Sequence, residues 1–123
     1  MKKQFDLNAY FAAVLHKDAA ALCAFFAEDA EILWHNTGER FSCSDFIRAN
    51  CDYPGEWLGE IEREYRVGGT VIAAARVWAK DEPSQSFHCC SFITLRDETV
   101  IRIDEYWGDD GEPPEWRRQA STL

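Results

Sequence analysis

The sequence lacks most of what would tie it to a metal, a disulfide framework or a bilayer. It has three histidines, at 16, 35 and 88, with no HExxH or H-x-H spacing, so no metal is expected. Its five cysteines, Cys23, Cys43, Cys51, Cys89 and Cys90, are odd in number and form no CxxC pair. They read as small thiols in a reducing compartment. Apolar runs such as VIAAA at 71–75 fall far short of the ~20 residues that cross a bilayer. The opening MKKQFDLNAY has two lysines but no apolar core or cleavage-type site, so no leader is expected and the expected location is the cytoplasm. Bases are scarce too: 13 against 22 acids, a net charge of −9 with histidine neutral. That balance repels nucleic acid and anionic membranes, and neither is an expected partner.

What is present is a folded chain rich in rings. The 123 residues are enough for one domain and not for two. The sequence reads as a single domain over 1–123, with its core from about 7 to 116 and neither internal repeat nor linker. Hydrophobic residues make up 46% and aromatics 14%, with five Trp, eight Phe and four Tyr. So many rings in so short a chain suggest a pocket lining as well as core.

Periodicity divides the chain into helices followed by strands. Leu7, Tyr10, Phe11, Val14 and Leu15 recur at helical spacing behind a candidate cap, Asp6. Asp18 can cap a second helix over 19–27. Alternation then takes over at 30–36, with Ile32 and Trp34 on one side and His35 on the other. Thr37-Gly38 turns the chain into a short strand at 39–41. Ser42 with Asp45 resembles a capping box for a third helix over 44–51. Strands follow at 57–67, 70–80, 85–96 and 99–108, the last pair joined by the tight Asp97-Glu98 turn. The tail should be irregular. Helices segregated from strands indicate an α+β fold, a curved antiparallel sheet with three helices on one face and a conical hollow between them.

A two-residue turn at Asp97-Glu98 would pair Phe92 with Ile103, Cys90 with Glu105 and His88 with Trp107. If Arg76 also lies opposite His88, then Arg76, Trp78, His88, Glu105 and Trp107 converge. Glu105 interrupts an apolar row, and burial would raise its pKa toward neutrality, which suits a general acid or base. His88 would assist and Arg76 would hold an oxyanion; an Arg–Glu pair with a hydrogen-bonded His is the structural alternative. Trp34 and Asn36 share a strand face, as a pocket wall and a ligand-binding amide or as core and turn. Tyr10 would sit in the core or offer its phenol to the hollow. Trp57 would line the rim, with Trp116 near it. Ala73, Ala75, Val77, Phe87, Ile93 and Leu95 would form an uncovered apolar back face, which implies a sheet-to-sheet homodimer.

The element order, with FFAEDAEILWHNTGERFS, FIRANCDYPGEW and TLRDETVIRIDEYWGDDGEPPEWR, resembles the nuclear transport factor 2-like superfamily, in its SnoaL-like, polyketide cyclase-like branch. The resemblance runs from about Leu7 to Trp116. It implies a cone-shaped, cystatin-like fold with a deep apolar pocket, usually dimeric. It also implies acid–base chemistry without metal or cofactor on a small apolar or aromatic molecule: isomerisation, cyclisation or dehydration of a carbonyl compound. Some members only bind ligands or proteins. Glu105 lies on the closing strand, where several members carry a pocket acid. The sequence lacks a Tyr-plus-two-Asp set of the ketosteroid isomerase kind and an Asp–Arg–Asp set of the epoxide hydrolase kind, so neither activity transfers.

Overall fold

The computed structural model describes residues 3–118. Three helices form where side chains cap them. Asp6 accepts from the Ala9 amide at 3.0 Å and opens α1, Leu7–Leu15. Asp18 does the same for Ala21 at 3.1 Å and opens α2, Ala19–Phe25. Ser42 accepts from Asp45 at 3.2 Å ahead of α3, Cys43–Asp52. The chain passes from α2 straight into β1, Phe26–Trp34, so this strand begins earlier than its alternation suggested. β2 is Glu39–Ser42, β3 Trp57–Val67, β4 Thr70–Ala79, β5 Ser86–Arg96 and β6 Thr99–Asp109. A short 3-10 turn, Glu115–Arg117, occupies the tail.

The six strands make one sheet in the order β2-β1-β6-β5-β4-β3. Every neighbouring pair is antiparallel except β1 and β6, which run parallel. The β3–β6 meander brings its last strand back beside the first, and the parallel pair meets in the core, with Ile32 opposite Ile103 and both 0% exposed. Leu22, Ile93 and Val100 complete the fully buried set between the helices and the concave face.

Two strands carry one extra residue each. In β3, Ile61 pairs with Ala75 but Arg63 with Ala74, leaving Glu62 unpaired. In β6, Val100 pairs with Leu95 but Arg102 with Thr94, leaving Ile101 unpaired. Such bulges bend and twist the strand that bears them. They also change which face every later residue occupies, because strand side chains alternate.

The Asp97-Glu98 turn has positive φ at both residues, 53° and 64°, and pairs Arg96 with Thr99 as expected. The Ile101 bulge then shifts the register: Phe92 pairs with Asp104, Cys90 with Tyr106 and His88 with Gly108. The expected pairs of Glu105 with Cys90 and Trp107 with His88 do not form. Glu105 lies opposite Ser91, and Trp107 opposite Cys89. The inferred back face is corrected likewise. Ala73, Ala75, Val77, Ile93 and Leu95 are buried, on the side covered by the helices. Beyond the Glu62 bulge, Tyr65 and Val67 turn outward, 51% and 67% exposed, away from the side of Trp57 and Ile61.

Candidate ligand cavity

Between the concave face and helices α1 and α3 lies a cavity of about 400 Å³. Its walls are mostly apolar, with Phe11 and Val14 from α1, Phe46 from α3, and Ile61 and Val77 from the sheet. Aromatic rings run along it in series. Trp34 meets Trp107 at 6.3 Å between centroids, Trp107 meets Phe87 at 6.3 Å, and Phe87 meets Trp57 at 5.9 Å. The closing contact is Tyr53 on Trp57, at 5.6 Å.

One carboxylate interrupts this lining. Glu105 accepts a hydrogen bond from Ser91 Oγ at 2.6 Å and a long one from the Cys89 thiol at 3.8 Å. Burial drives its pKa upward, and the donor groups of Ser91, Trp34 and Cys89 pull the other way. The Trp34 indole nitrogen lies close enough to favour the charged form, yet among the described residues it completes no hydrogen bond of standard geometry. Tyr10 is 5% exposed, and among the described residues its buried hydroxyl has no partner. Burial and the nearby negative charge of Glu105 raise the phenol well above its ordinary pKa, so it stays a hydrogen-bond donor. Burial also pushes the Cys89 thiol far up, which makes it a weak nucleophile.

The mouth is held by a clasp. Lys17, in a left-handed conformation at φ 55°, donates from Nζ to the carbonyls of Tyr53 and Gly55. The Trp57 indole donates to Pro54 O at 2.8 Å, and Asn50 ties α3 to Val14 O at 3.0 Å.

The expected site residues divide between the two sides of the sheet. Glu105, Trp34, Trp107, Trp57 and Tyr10 all line the cavity. Asn36 does not; its amide pairs with both backbone groups of Trp107, accepting from the N–H at 2.8 Å and donating to the carbonyl. It therefore positions Trp107. Arg76, Trp78 and His88 are on the outer face, so the expected convergence with Glu105 does not occur. There Arg76 stacks on Trp78 at 4.8 Å and lies 3.9 Å from Asp110. His88 sits between Asp110 at 2.5 Å and Glu62 at 3.4 Å, and its pKa is raised chiefly by the Asp110 hydrogen bond. Trp116 is 80% exposed and belongs to no rim.

Sequence reasoning missed Ser91, Cys89, Phe46 and Lys17 as parts of the site. The first two were hidden by the bulge. The bulge shows only in the structure, where Val100 and Ile103 are both fully buried although three residues apart, a spacing that regular alternation cannot place on one face.

The family model for the SnoaL-like domain matches residues 7–103. The chain belongs to this family. Solved structures with the same architecture include a putative ketosteroid isomerase from Kribbella flavida, at TM-score 0.78 and 24% identity over 94% of this chain and 84% of that one. An NTF-2 like protein of unknown function from Burkholderia xenovorans gives 0.77 and 23% over 95% and 91%. A hypothetical protein with a ketosteroid isomerase-like fold from Catenulispora acidiphila, solved with trimethylamine, gives 0.70 and 20% over 81% and 82%. At these identities the likeness of this SnoaL-like chain to them is one of fold. Among curated proteins, no sequence matches it.

Proposed function

We propose that the SnoaL-like cavity binds a small, largely apolar carbonyl compound and that Glu105 moves a proton on it. The carrying observation is a partly buried carboxylate and a buried phenol, unpartnered among the described residues, lining one apolar hollow. Ionised Glu105 would take a proton from the carbon next to the carbonyl. The C–H electron pair would move into the new C–C double bond, and carbonyl charge would build on oxygen, where the Tyr10 hydroxyl donates. Return of the proton from Glu105 to the same or a conjugated carbon would complete exchange or isomerisation, with no co-reactant. A positioned base of raised pKa contributes roughly 10²–10⁴-fold, and a donor at the developing oxyanion roughly 10²–10³-fold.

The test uses 2-tetralone, an enolisable two-ring ketone, in D2O. Deuterium entry next to the carbonyl is followed by NMR. The wild-type chain should accelerate exchange, Glu105→Gln should slow it by at least ~100-fold, and Tyr10→Phe by ~10–100-fold. The rate should climb with pH as Glu105 ionises, with a midpoint above the ordinary carboxylate value of 4.5. Equal rates for wild type and Glu105→Gln would refute the assignment. A ligand recovered intact, with affinity lost on Trp107→Ala, would instead favour a binding module, a reading that the aromatic lining supports.

For assembly, we infer a homodimer through the outer sheet face. Phe92 and Tyr106 are 38% and 47% exposed there and touch edge-to-face at 6.0 Å. Ala74 and Cys90 pair beside them. A shallow groove between His35, His88 and Tyr106 adds relief to this face.

A further inference from the structure

We propose that the cavity recognises a compact organic ammonium group, seated against Trp34, Trp107 and Phe87 with Glu105 as its counter-charge. This rests on the reading that the cavity is the ligand site, and it names the class of ligand. Three observations carry it.

The first is ring geometry. Trp34 stands at 89° to Trp107 and at 84° to Phe46, with both centroid distances 6.3 Å. Phe87 continues the wall at 55° to Trp107. Rings meeting at such angles make a corner. A rounded cation in that corner can contact more than one electron-rich ring face, which is the arrangement that binds quaternary and tertiary ammonium ions.

The second is the sign of the charges. Among the described residues, the acids lining the cavity are Glu39, Glu105 and Asp109, and the one base is Lys17. Its ammonium already serves the carbonyls of Tyr53 and Gly55 at the mouth. Among the described residues no lining cation is left for a carboxylate or phosphate, so an anionic ligand would enter against uncompensated charge.

The third is that Glu105 itself is unpaired. Its contacts are a hydroxyl, a thiol and a nearby indole, and among the described residues no ion pair reaches it. Tyr10, its hydroxyl buried and without a partner among the described residues, belongs to the same lining. A cation supplies what a partly buried lone carboxylate lacks. A carbonyl compound bearing an ammonium group would satisfy Glu105 and Tyr10 together.

The test compares three probes of nearly one shape on the full chain at pH 7: choline, its uncharged isostere 3,3-dimethylbutan-1-ol, and the anion 3,3-dimethylbutanoate. Calorimetry reads affinity, and NMR reads the methyl protons, which ring currents should move upfield. Choline should bind at least ~10-fold more tightly than the alcohol, and the anion should not bind. Trp107→Leu and Glu105→Gln should each weaken choline by at least ~10-fold, with little effect on the alcohol. Equal affinity for choline and the alcohol, or no binding of choline, overturns the proposal. Tetralone exchange that persists without choline binding removes this inference alone. Absence of exchange and of binding by every probe removes the cavity reading as well.

Discussion

Glu98 and Glu105 lie seven positions apart, and their surroundings push them in opposite directions. Glu98 accepts from the Phe5 amide at 3.0 Å and from Arg66 at 2.9 and 2.5 Å. Those bonds pull its pKa from 4.5 down to about 2. A carboxylate more acidic in the folded state stabilises the fold above its unfolded value and stops doing so as it protonates. Glu98→Gln should therefore lower the melting temperature at pH 7, and the deficit should shrink as pH falls from 4.5 toward 2. Melts across that range check it; a deficit independent of pH would contradict the assignment. Glu105 behaves the other way, since burial raises its pKa. It was legible because an acid in an apolar row is conspicuous. Arg76 and His88 looked equally promising, but their placement depended on a register that a one-residue bulge reverses.

At the scale of elements, the helices and long strands were readable because each carries its own period and its own cap or turn. Asp6, Asp18 and Ser42 all cap as their positions suggested. The parallel pairing of β1 with β6 was not readable, because it joins residues about 70 positions apart and no local signal encodes it. Nor was the way α1 seats on β3. A Cβ at Gly59 would come within 2.9 Å of both Arg76 O and the Phe11 ring. The ring can shift, but the carbonyl belongs to the paired strand. Gly59→Ala should cost ~1–3 kcal/mol, in the range of overpacking. Urea unfolding measures it, and a loss below ~0.5 kcal/mol would show that the contact yields.

The whole molecule presents two different sheet faces. The helices cover one, while the outer one mixes rings with ionic clusters. On the side of β1, Asp104 is bonded to His35 at 2.7 Å and to Arg102 at 2.9 Å. On the side of β3, His88 links Asp110 and Glu62. Such a surface, with exposed rings set among ionic clusters, suits a two-fold pairing. Light scattering at micromolar concentration should give twice the chain mass. Phe92→Glu with Tyr106→Glu should halve it while leaving tetralone exchange in place; a wild-type monomer, or a double variant that stays paired, would refute the interface. Ring abundance was legible as a pocket signal, and four of the residues expected to line the hollow with Glu105 do so. The bulge at Ile101 has one more consequence, for how such a chain can change in length. The 80–85 connection can gain or lose residues with only local effect. Deleting one codon between Val100 and Ile103 would exchange the two sides of the closing strand at once, sending Glu105 and Trp107 to solvent and Asp104 and Tyr106 inward. That stretch is closed to single-residue insertion or deletion.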